Sequence, residues 1–170
     1  MFSQECQSFL KKAKNNERLV DYLKDNCRNR AFFDWAFVVI FYSALHYFNA
    51  FLSYKGKGIP SSHISNAAKD GRIALAHSIF YTNKNGIMDS VGSDFEQLFN
   101  WSCDSRYKYS VKGLLGNSEF EAALRMLEAI KLVTFNEIGF RPKKRKGETI
   151  GFIKLSDSYR NSLKNIRGLE

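Results

Sequence analysis

An all-α fold, a bundle of four or five helices with a basic C-terminal extension, is predicted by three observations. Only 2 Pro and 11 Gly occur in 170 residues, too few for a many-turned β architecture or a linker-rich chain. Hydrophobic residues make up 44% of the chain, which excludes wholesale disorder and suffices for the core of one domain. Finally, apolar residues recur at helical spacing in several long segments, and one of these, Trp35 to Tyr54, is apolar nearly all the way round.

Taken in order, residues 3 to 28 carry Phe9, Leu10, Leu19, Val20, Tyr22 and Leu23 against a charged opposite face, which predicts one long helix with a weak point at Asn15 and Asn16. Asp34 is placed to cap the next helix, which Gly58-Ile59-Pro60 would stop. Such a segment is either a central buried helix or a membrane span. Ser43, His46 and Asn49, three residues apart, form a stripe suited to a neighbouring helix, which favours the buried reading. Ser61 or Ser62 would cap a third helix running to Tyr81, weakened in its middle by Gly71. Val91, Phe95, Leu98 and Phe99 mark a fourth, and a break is expected over Ser105 to Tyr109 and Gly113 to Gly116. Ser118 with Glu121 offers a capping box for a fifth helix that ends near Gly139. Beyond it, Thr149 to Leu155 reads as a short strand and Asp157 to Ile166 as a last turn or two of helix.

Charge divides the chain into a bundle, residues 1–140, and a basic extension, residues 141–170. The extension holds nine basic and three acidic residues, net +6; the other seventeen basic and fourteen acidic leave +3 for the bundle. Arg141, Lys143, Lys144, Arg145 and Lys146 surround one Pro, and like charges at this density must be solvated or matched to an anion. The run is either a solvated linker or a contact for nucleic-acid phosphate or an acidic membrane surface. Cys6, Cys27 and Cys103 show neither CxxC nor Cys/His spacing, so no disulfide framework and no metal site is expected, and no cofactor is implied. The N-terminus has no apolar signal region, and a reducing, cytoplasmic setting is expected. Gly113-x-x-Gly116 lacks the Lys of a phosphate-cradling loop.

The order of features carries more than any one of them. Asp34-Trp35 opens the apolar helix, Tyr42 to His46 reads Tyr-x-Ala-Leu-His, Ser62-His63 follows the next loop, and Ser105-Arg106-Tyr107 precedes the last long helix. Over residues 30 to 135 this order resembles the HEPN superfamily. The resemblance implies an all-α bundle, often a homodimer or larger oligomer, among metal-independent ribonucleases, toxins and subunits of defence systems, many of them non-catalytic binding modules. RNA, and a partner protein of a defence system, are the partners it implies.

The ribonuclease signature of that superfamily is Arg-x4-6-His, in which the Arg would steady phosphate and the His would move a proton during attack by the ribose 2′-OH. Only Arg72 to His77 meets this spacing, with Ile73 where the signature has a polar residue. Five residues of regular helix set Arg72 and His77 about 140° apart, so they would meet only at a distorted turn or across a dimer interface. Arg106 would bind phosphate or fix its loop to Asp104, and Tyr107, Lys108 and Tyr109 would form a stacking and phosphate surface or join the core. His46 suits a hydrogen bond to a neighbouring helix, and His63 a helix start. Three readings follow: a ribonuclease using Arg72 and His77, a binding module using the basic extension, and a membrane-associated oligomer using the Trp35 to Tyr54 helix.

Overall fold

The computed structural model describes residues 2–26, 33–63, 71–80, 91–107 and 115–140, and these contain five helices and no strand. In chain order they are α1 (Gln4–Asn26), α2 (Phe33–Tyr54), α3 (Arg72–Phe80), α4 (Val91–Tyr107) and α5 (Asn117–Ile138). The all-α prediction holds. The basic extension, with its expected strand and terminal helix, lies outside the described residues.

The hub of the fold is α2, which packs against α1, α4 and α5, while α3 lies on α4. A helix apolar around its whole circumference must be covered on every side. Phe37, Ile40, Phe41, Ala44, Tyr47, Phe48, Ala50 and Leu52 are all fully buried. By length and composition α2 is long and apolar enough to cross a membrane, but 78% of its most apolar window is covered by the protein itself. Only its ends present aromatics outward, at Trp35 and Tyr54.

Asn15 and Asn16 do not break α1. It docks through Cys6, Leu10, Ala13 and Val20, which recur at three to seven residues along one face. Two of these are small and allow close approach to α2: the Ser43 hydroxyl donates to the Ala13 carbonyl at 3.0 Å. Leu19 and Tyr22, expected on the packed face, are exposed. Tyr47 donates to Glu17 at 2.9 Å, and Glu17 also pairs with Lys131 of α5 at 2.8 Å. Lys131 in turn reaches Glu128 at 3.2 Å, which ties α1, α2 and α5 through one polar network.

Three helix boundaries correct the sequence reading. Ser61, Ser62 and His63 are not helical, and α3 begins only at Arg72, directly after Gly71. The Ser62 and His63 carbonyls instead accept the Arg72 and Ile73 N–H groups, both at 3.2 Å, so a distant stretch of chain satisfies donors that a side-chain cap would otherwise take. Next, α4 continues through the expected break to Tyr107, because Arg106 folds back to bond the Ser102 carbonyl of its own last turn. Last, α5 is capped two residues early: Glu119, not Glu121, reaches back to the Gly116 N–H at 2.8 Å, and Ser118 donates to the same carboxylate. These bonds hold the Glu119 carboxyl below its ordinary pKa. The far end of α5 stops as expected, at Gly139, whose φ of 66° is left-handed.

Gly92 sets how closely α3 and α4 approach. A Cβ there would stand 2.8 Å from the His77 Cα, which no side chain tolerates without separating the helices.

Candidate anion-binding site

The face of α2 flanking its α1 contact carries Tyr42 and His46, one turn apart, and both are half-buried. Because the chain returns along α3's first turn, His63 is brought beside this face. Its ring packs edge-on against Phe41 at 5.3 Å and against Phe99 of α4 at 5.5 Å. On its α1 side the His46 ring stacks on Phe9, 6.0 Å between centroids at 26°.

Two guanidinium groups enter the same region. Arg72, the first residue of α3, is close enough to act electrostatically on both imidazoles and on Tyr42. Arg106, in the last turn of α4, acts on His63. Its Nε donates to the Ser102 carbonyl at 3.0 Å and one terminal nitrogen donates to the Ser102 hydroxyl at 3.2 Å. The guanidinium then lies 6.0 Å from the Tyr42 ring centre and 5.2 Å from that of Tyr107. Two of its nitrogens are thereby held against one helix end.

The region combines unmatched polar atoms with positive charge; buried atoms without partners among the described residues also occur at Asn49, Ser105 and Thr134. The Nδ1 atoms of His46 and His63 and the Nε of Arg72 are buried and have no hydrogen-bond partner among the described residues. Each such atom costs about 1–3 kcal/mol relative to a satisfied one. The charges that bear on the imidazoles are all positive: Lys12 and Arg72 on His46, Arg72 and Arg106 on His63. Burial first, and these cations second, push both imidazoles below their ordinary pKa of 6.5. Burial also lowers Arg72, with Tyr42 acting the other way. A guanidinium nevertheless keeps its proton near neutrality. The chemistry on offer is two fixed positive charges beside two neutral rings, each able to accept or donate a proton.

The Arg72 and His77 pair is not assembled within one chain. The described α3 is regular, and its turn carries His77 away to α4, where its Nε2 lies 2.8 Å from Glu96. Both members of that contact are more than 40% exposed, so it contributes at most about 1 kcal/mol. Of the residues expected to meet nucleic acid, Arg106 belongs to the cluster and Tyr107 lies at its edge, 74% exposed. Lys108, Arg141, Lys143, Lys144, Arg145 and Lys146 lie outside the described residues.

His46 and His63, read from sequence as structural, are the residues this geometry adds. One signal pointed to them: they stand in the stretches that carry the HEPN resemblance. Comparison with protein-family models, with curated proteins and with solved structures finds no match.

Proposed function

We propose that this chain is an RNA-associated, HEPN-like helical bundle of a cytoplasmic defence or toxin system, in which Arg72 and Arg106 engage RNA phosphate beside His46 and His63. The basic run from Arg141 to Lys146 would add contacts to the RNA backbone. One observation carries the reading. Tyr42 to His46, Ser62-His63 and Ser105 to Tyr107 are far apart in sequence, yet they meet around Arg72 as a positive cluster with unmatched polar atoms.

A ribonuclease form of the same reading is favoured by the neutral imidazoles beside Arg72. Here His46 and His63 take the proton-handling place that spacing alone assigned to His77. The reaction would need an arginine to hold phosphate and an imidazole to move a proton.

The deciding experiment follows single-stranded RNA with the purified protein in the presence of a chelator, which silences contaminating metal-dependent nucleases. Cleavage lost in Arg72→Gln supports the ribonuclease form, and in that form His77→Asn keeps most of its activity. Salt-dependent binding without cleavage, weakened in Arg72→Gln and by deletion of residues 141 to 147, supports a binding module. Absence of both binding and cleavage overturns the reading.

A further inference from the structure

We propose that the cluster of His46, His63, Arg72 and Arg106 is a site for a phosphate monoester, such as the terminal phosphate of an RNA, and that filling it draws protons onto the two histidines. The inference rests on the RNA-associated reading for the source of the phosphate but not for the site itself.

Charge matching decides the class of anion. A phosphodiester inside a strand carries one negative charge, whereas a monoester carries close to two at neutral pH. Two arginines that keep their charge therefore balance a monoester and leave a diester in excess positive field. Shape agrees with charge. The cluster is half-buried, walled by Phe9, Phe41 and Phe99, and lies where α2, α3, α4 and the 62–63 stretch meet. A chain end brings one strand to such a junction of helices, while an internal phosphate must bring two.

The unmatched atoms give the site its donors. The Arg72 Nε can donate to a phosphate oxygen directly, and either histidine can do so once its Nδ1 carries a proton. Protonation is opposed by burial and by the facing charges: Lys12 of α1 and Arg72 of α3 on His46, Arg72 and Arg106 of α4 on His63. A dianion cancels much of that positive field and accepts hydrogen bonds from the protonated rings, which favours their protonation. The Tyr42 hydroxyl completes the set on α2. By contrast, His77 sits on Glu96 and takes no part.

The three histidines of the chain give the test its readout. Their ring resonances are titrated by NMR with and without inorganic phosphate. Two sets are expected to move to a higher titration midpoint, lost in Arg72→Gln, while the set lost in His77→Asn does not move. Calorimetry then compares one short RNA with a phosphorylated end, the same RNA with hydroxyl ends, and a nucleoside monophosphate. The phosphorylated RNA is expected to bind about tenfold more tightly than its hydroxyl-ended twin at pH 7.5, where the monoester is mostly a dianion. Tighter binding of that RNA than of the mononucleotide identifies a strand end as the source, and equal binding identifies the mononucleotide; either supports the site. Unmoved histidines, or equal binding of the two RNAs, overturn the proposal. Equal binding of the two RNAs leaves RNA association standing, whereas histidines that respond to phosphate in a protein that binds no RNA keep the site and remove the RNA reading.

Discussion

The two sides of α2 handle polar groups in opposite ways. Toward α1 and α5, partners meet: Ser43 bonds a carbonyl, Tyr47 bonds Glu17, and Lys131 is shared by Glu17 and Glu128. Burial alone would lower the Lys131 pKa, but its two carboxylates outweigh it and hold the ammonium above its ordinary value. Tyr47 moves up for related reasons, burial first and the Glu17 charge second. Toward α3 and α4, two imidazoles and a guanidinium keep buried atoms without partners, and the neighbouring charges repel rather than match. In the first arrangement the charged groups answer one another, although the Thr134 hydroxyl of α5 is also without a partner among the described residues. The second gathers three unmatched buried atoms among positive charges, and that is the basis of the proposed anion site.

Phe41 gives the largest expected effect. It is fully buried, packs on Phe95 and Phe99 at 5.8 and 5.5 Å, and walls His63. Phe41→Ala is expected to cost about 3–5 kcal/mol in urea unfolding. It should also weaken phosphate binding, since the His63 ring loses its support.

Lys131 and Arg72 sharpen the contrast, because the same change should act differently at each. Lys131→Met leaves Glu17 and Glu128 facing one another without their cation, and a loss of about 2 kcal/mol is expected by chemical denaturation. Arg72→Met removes a repelling charge and an unmatched donor, so stability should stay within about 1 kcal/mol of the parent or rise. A large loss at Arg72 would make that side structural too.

The smallest effect is that of pH. Both imidazoles have folded pKa values below 6.5, so the unfolded chain binds more protons than the native one just below that pH. Unfolding free energy should fall as pH drops from about 6.5 toward the folded values, then level off below them. Phosphate should reduce this loss. A melting series from pH 8 to pH 5, with and without phosphate, reads both expectations, and equal curves would erase the proposed difference between the two sides.

Much of the bundle was legible because helical periodicity is a local property. The body of α2 from Trp35 to Tyr54, the start of α4 at Val91 and the end of α5 at Gly139 follow from spacing and from a glycine that tolerates positive φ, whereas Asp34, expected to cap α2, lies inside its first turn. The buried face of α5 was less legible. Phe120, Ala123, Leu127, Ile130 and Thr134 face inward, while Leu124 and Leu132 are half-buried, since a helix rich in apolar residues can be turned several ways by its neighbours. The start of α3 was not legible at all: its first N–H groups are satisfied from Ser62 and His63, each ten residues before its partner.

Composition and periodicity by themselves determined an all-helical chain built around one apolar helix, and placed its basic excess at the C-terminal end. Which histidine stands beside Arg72 was decided only by tertiary structure. Spacing along one helix measures rotation about a single axis and assigned His77, which that rotation carries to Glu96. The neighbours Arg72 acquires, His46 and His63, come from a different helix and from a returning stretch of chain, and their meeting depends on how α2, α3 and α4 pack.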